Sequence, residues 1–316
     1  MKRIVLSFPF FVCAVLLANA VSAELTVRKD AETGQWLIAE NGIPVVQYNY
    51  ETVPLPEGYM ERLTHSHIYA IPRSNYIHPL FDLNGNPITF DWSMGHPHHR
   101  GIYWAWPEVG YKGEFGDIHA LQKVFARPTG NIETVVKDGT VSLRAENLWK
   151  WEDEEPIVHE TATITVHPLS ASGRKIDLEF RFKGLVDEVT LARRGTDSYG
   201  GLNLRMANLD GFRSGSFQEH DGNAAKDGAA WVFSTWNDSG KMMELTVLEK
   251  ADNPDYPGDL IHYPELQWFQ PGIPSKGTRF VLRKDDVLTL RFRLWLHEAT
   301  ADDAAKKAAW KEFQER

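Results

Sequence analysis

Three of the chain's twelve histidines fall within four positions, in Gly95-His96-Pro97-His98-His99-Arg100-Gly101. An imidazole with an unperturbed pKa of about 6.5 can hold or release a proton near neutrality, and in its neutral form it ligates zinc, copper or iron. Arg100 adds a fork of donors suited to hydroxyls or a carboxylate. Three imidazoles and a guanidinium are costly to order and bury without partners, so the run reads as a site rather than a solvated loop.

Pro97 disfavours helix in the residue before it, and an extended backbone from His96 would alternate side chains between two faces. His96, His98 and Arg100 then share one face, with residues two apart separated by roughly 6.5 to 7 Å. His99 turns the other way, with Tyr103 and Ala105. Ile102-Tyr103-Trp104-Ala105-Trp106 is strongly β-prone, so the histidines sit where a loop feeds a strand. Two further segments carry polar groups that could join them. His78-Pro79 precedes an Asp82 to Pro87 turn, and Tyr199-Gly200-Gly201-Leu202-Asn203-Leu204-Arg205 would line one strand face with Asn203 and Arg205 while Leu202 and Leu204 face a core. The paired glycines there fit a ligand, a close backbone or a bulge. His65, His67 and Tyr69 form a polar row on one strand face. Gly110, Gly113 and Gly116 would let the stretch from Val109 to Asp117 move over the site, and Glu160 and Glu219, with His220 and Asp221, supply carboxylates or further polar groups.

The elements that must position these groups are strands. Asn41-Gly42 and Asp138-Gly139 are two-residue hairpin signals between β-prone runs. Leu288, Leu290, Phe292, Leu294 and Leu296 alternate with Val287, Thr289, Arg291, Arg293 and Trp295, so one face of that strand is core and the other is polar or covered. About fifteen such segments point to an all-β chain, a large antiparallel sandwich or barrel. Only the tail reads as helix, with Thr300 as a cap and Ala305, Ala309, Trp310 and Phe313 as an apolar face that docks on a sheet. No linker or repeat divides residues 24–316, which read as one domain.

Residues 1–23 have the pattern of a signal peptide: Lys2 and Arg3, an apolar run from Ile4 to Leu17, and Val21-Ser22-Ala23 before the expected cleavage. The expected location is periplasmic or secreted. The single cysteine, Cys13, lies in that segment, so the mature chain has no disulfide, thiol nucleophile or thiolate metal site. No later stretch is apolar enough to span a membrane. The formal charge of −9 becomes two units more negative without Lys2 and Arg3, which argues against nucleic acid as a partner.

Tyr76-Ile77-His78-Pro79-Leu80, the Asp-rich turn, the His-Pro-His-His-Arg-Gly run leading into Trp104-Ala105-Trp106, Tyr199-Gly200-Gly201-Leu202 and Asn253-Pro254-Asp255-Tyr256-Pro257 together resemble the exported bacterial proteins catalogued as "PmoA family" or "methane oxygenase PmoA". The chain departs from that pattern at Asp117-Ile118-His119, where a tryptophan would follow the aspartate. The resemblance implies a domain of unknown function common in polysaccharide-degrading bacteria, with a fold similar to the galactose-mutarotase-like supersandwich.

Three functional readings follow. In the first, the protein is a carbohydrate-active enzyme, a hydrolase, lyase or epimerase. His96 and His98, with His99, form its catalytic set, Arg100 and Arg205 bind hydroxyls or a carboxylate, and Trp104 or Trp106 stacks on a sugar. His78, Tyr199 and Asn203 complete the substrate-binding set, and the partner is a small molecule or oligosaccharide. In the second, His96, His98 and His99 with His78 or a carboxylate ligate a metal, the His-x-His core resembling cupin-type strands with Glu108 as a loose match for their glutamate. In the third, the protein is a non-catalytic glycan-binding module. The cofactor is left open. If these motifs form one site, His78, the His96 to Arg100 run and Asn203 with Arg205 converge within roughly 10 Å of a common point, lined by Trp104 or Trp106, with the Val109 to Asp117 loop at the rim.

Overall fold

The computed structural model describes residues 24–219 and 228–315. The expected signal peptide, together with His220 and Asp221, lies outside the described residues. The architecture is the expected one: an all-β antiparallel supersandwich with one C-terminal helix. Two eight-stranded sheets share one core, against which a four-stranded sheet also packs. The first large sheet runs Leu25–Lys29, Trp36–Glu40, Ile43–Asn49, Tyr76–Leu80, Ile102–Ala105, Gly201–Arg205, Trp268–Gly272, Asp259–Tyr263. The second has Val287–Glu298 near its middle, between Lys241–Glu249 and Arg174–Gly184.

Local sequence explains much of this. Asn41 and Gly42 both have positive φ, as do Asp138 and Gly139, the backbone that a two-residue hairpin turn requires. The hairpins join Trp36–Glu40 to Ile43–Asn49 and Val124–Lys137 to Thr140–Trp151. In Val287–Glu298, Leu288, Leu290, Phe292, Leu294 and Leu296 enter the core between the sheets. The opposite face is covered by the C-terminal helix Asp303–Gln314: Trp295 packs with Trp310 and Phe313, and Arg293 Nη1 lies 3.3 Å from Glu312 Oε1 of that helix. That helix is capped by Asp302, whose side chain accepts from the Ala305 amide, two residues later than the cap expected at Thr300. Asp302 wins because its carboxylate also favours the positive end of the helix dipole.

The register around Ile102–Ala105 decides where a site can form. Trp104 pairs with Leu202 and Ile102 with Leu204, and all four side chains face the inter-sheet core. Tyr103 pairs with Asn203, so these two point to the outer face. Across the next ladder Arg205 faces Trp268 on that same outer side, whereas Leu204 and Phe269 face the core. Gly201 has φ +142, and a Cβ there would lie 2.2 Å from the Pro271 carbonyl oxygen. The paired glycines therefore serve a close approach of backbones. No helix among the described residues is long and apolar enough to cross a membrane.

Candidate functional site

His96 to His99 do not extend as a strand. Pro97 and His98 form a turn in which the His99 amide donates to the His96 carbonyl at 3.0 Å. Proline at the second position of a turn has its φ already set, and an extended residue before it is compatible with such a turn. The turn gathers all three rings instead of dividing them between two faces. Ring centroids lie 6.0 Å apart for His96 and His98, 4.8 Å for His96 and His99, and 4.5 Å for His98 and His99.

A fourth imidazole joins them. His119 sits on a tight turn closed by reciprocal backbone hydrogen bonds between Asp117 and Gln122, 2.7 and 2.8 Å. Its ring is 4.7 Å from that of His98 and 5.2 Å from that of His99. One ring nitrogen from each of His98, His99 and His119 lies within 4.8 Å of the other two. The Nδ1 atoms of His98 and His99 are buried without a hydrogen-bond partner. Nδ1 of His119 is 2.9 Å from the Tyr103 hydroxyl, which leaves Nε2 as its free nitrogen.

Arg73 ties the two turns together. Its guanidinium donates to the carbonyls of Ile118 and His119 at 2.8 and 2.9 Å and reaches that of His98 at 3.5 Å, while lying over the Tyr103 ring. Gly101 joins the histidine turn to its strand. Its φ is +57, and a Cβ would lie 2.1 Å from the Ile77 carbonyl oxygen, so only glycine fits. The Gly101 carbonyl accepts from the Arg205 amide and from Asn203 Nδ2.

The imidazoles line a pocket of about 460 Å³ with Tyr199, Tyr263, Glu265, Leu266 and Trp268. Trp268 stacks on His99 at 5.4 Å, and Tyr199 meets both His119 and Trp268 edge-on. Burial, followed by the charge of neighbouring imidazoles and of Arg73, pushes His98 down to about 3 and holds His99 and His119 well below the usual imidazole range. His96 is lowered too, chiefly by burial, but is the most open of the four. The buried trio is therefore neutral near pH 7, which suits ligation and does not suit a general acid.

Several expected site residues lie elsewhere. Trp104 and Trp106 stack on each other in the core against Phe180 and Phe182 and do not line the pocket, because strand alternation turns them inward. Arg100 is fully buried in its own cage: Asp91 takes its Nε and Nη2, the Tyr76 hydroxyl accepts at 2.6 Å, and the Trp92 ring lies beneath it. It anchors the loop and does not reach the pocket. His78 bonds Thr89 Oγ1 at 3.0 Å, behind Gly101. Asn203 is buried as a tie to Gly101, and Arg205, paired with Trp268 across the ladder, does not itself line the pocket. The segment from Val109 to Asp117 is a hairpin of the small sheet, with Val109 in the core. Glu108 pairs with Arg279, Glu160 is buried between the sheets against Asn75 and Trp149, and Glu219 pairs with Lys307, so none is a ligand partner for the histidines. His67 and Tyr69 form a single 3-10 turn, not a strand face, and Tyr69 packs on His98 at 4.8 Å.

His119, Tyr103, Arg73 and Trp268 were not assigned to the site from sequence. His119 stood out there only as a departure at Asp117-Ile118-His119, and nothing local marked the other three.

No curated protein matches the chain. Among solved structures, a GalM/aldose epimerase homologue from C. elegans is similar at a TM-score of 0.33 and 10% identity, covering 87% of this chain and 99% of that one. A match this distant carries no argument about chemistry. The family profile that matches residues 35–311 is not that of a PmoA family or a methane oxygenase, and this corrects the resemblance drawn from the histidine motif. The chain belongs to DUF6807, a family of unknown function.

Proposed function

We propose that His98, His99 and His119 hold a divalent transition metal, and that the protein is a metal-dependent enzyme acting on a small carbohydrate substrate in the adjoining pocket. The observation that carries this reading is the approach of three ring nitrogens to within 4.8 Å of one another at a pocket wall. Nitrogens bound at about 2.1 Å to one tetrahedral ion stand roughly 3.4 Å apart, so modest ring rotations close the set. Three protein ligands leave a coordination position open on the pocket side, the arrangement of catalytic rather than structural sites. Tyr103, bonded to His119, is the outer partner that sets the tautomer and aim of a ligating imidazole.

The acid–base reading survives in reduced form. His96, at the pocket edge and the most open of the four, is the group suited to move a proton, while Tyr199, Tyr263 and Trp268 supply amphipathic walls for a polyhydroxylated ligand. Export rests on the pattern of residues 1–23.

Elemental analysis after expression with supplemented zinc, iron, copper and manganese tests the centre. About one equivalent of a single metal is expected in the wild type, falling to about a tenth in His98→Ala and His119→Ala variants that retain the wild-type circular dichroism spectrum. A wild type with no metal above that lower level sinks the proposal.

A further inference from the structure

Arg205 is a buried cation without a counter-charge. Its side chain is only 7% exposed, its Nε has no hydrogen-bond partner, and among the described residues no carboxylate forms an ion pair with it. Burying an unpaired charge is expensive, and proteins rarely tolerate it away from a site that uses it. Its place in the ladder opposite Trp268 sets it on the outer face of the first sheet, beside the ring that stacks on His99. Its positive charge is felt at both His96 and His99.

The surroundings add to this charge. Arg73, also buried, spends its donors on backbone carbonyls and has an unpartnered Nε. Arg194 is balanced by Asp117 at 2.7 Å. The acid that lines the pocket, Glu265, is exposed at its rim, where water screens it. In a chain of formal charge −9, a guanidinium without a carboxylate partner thus lies over the Phe90 ring at 5.5 Å, directly behind the wall that Trp268 gives the pocket.

We propose that Arg205 is the anion anchor of the pocket and that the substrate is an acidic carbohydrate, one bearing a carboxylate. A guanidinium matches a carboxylate through paired donors, whereas a neutral sugar leaves Arg205 without a counter-charge. The inference rests on the reading of this pocket as a substrate site but not on the metal.

Isothermal titration with glucuronate and with glucose as the neutral control, on the protein as purified and after chelator treatment, tests it. Glucuronate is expected to bind at least about tenfold tighter than glucose, with or without metal. Arg205→Met should remove that preference while leaving the metal content unchanged, and Arg205→Lys should keep part of it. Equal affinities, no binding of either sugar, or an unaltered preference in Arg205→Met would overturn the proposal. So would a preference that vanishes on chelation but survives Arg205→Met, because the metal would then hold the carboxylate. A preference that depends on Arg205 in a protein without metal upholds this inference and removes the metal reading alone.

Discussion

The Tyr103 hydroxyl lies 2.9 Å from His119 Nδ1, and the two rings are nearly parallel, 4° apart in plane. Tyr103 is buried on the outer face of its strand, so the strand itself aims the one imidazole that comes from a separate turn. Tyr103→Phe keeps the packing and removes only the oxygen. Loss of such an outer-shell partner costs about 10- to 100-fold in metal affinity, to be read by competition with a chelator of known affinity. An unchanged affinity would mean that the hydroxyl does not orient His119.

Asp91 and Arg100 form a buried pair whose side chains are 11% and 1% exposed. Asp91→Ala leaves the guanidinium without its counter-charge under the histidine turn. Destabilisation by about 3 to 5 kcal/mol is expected in urea denaturation, well beyond the cost of an exposed pair. A loss below about 1 kcal/mol would show that Tyr76 and Trp92 alone suffice to hold Arg100.

Trp104 separates core from pocket. Trp104→Phe should lower the unfolding midpoint, since it leaves space against Phe180 and Phe182, yet leave metal content and sugar binding as in the wild type. Loss of sugar affinity in a folded Trp104→Phe protein would return this residue to the binding set.

Glu160 makes stability depend on pH. Burial raises its carboxyl from 4.5 to about 7, against hydrogen bonds from Trp149 and Asn75. Between these values the folded state holds more protons than the unfolded one, so stability is fullest below about 4.5 and declines as pH rises through about 7. Glu249, also raised to about 7 by burial, adds a parallel decline. Denaturation midpoints of Glu160→Gln measured across this range should fall less steeply with pH than those of the wild type. Identical slopes would rule out Glu160 as a source of the dependence.

Periodicity and turn chemistry are local properties, and the sequence by itself determined what they control. Asn41-Gly42 and Asp138-Gly139 specify their hairpins because two successive residues must take positive φ. The alternation of residues 287–296 specifies a strand with one core face, and the Ala-rich tail specifies a helix. The histidine run was legible as a site because its cost demands partners. Its internal geometry was not, since Pro97 is compatible with both an extended chain and a turn, and only the contacts of the surrounding loop chose the turn. That choice reversed the predicted division of the imidazoles between two faces. The tertiary structure alone decided the rest. Sheet order places Arg205 opposite Trp268, 63 positions away along the chain, and Arg73 binds the carbonyls at Ile118 and His119 across 45 and 46 positions. The inward turn of Trp104 and Trp106 likewise follows from which face of the sheet meets the second sheet. No local pattern encodes these relations, because they arise from the pairing of strands distant in sequence and from the burial that this pairing enforces.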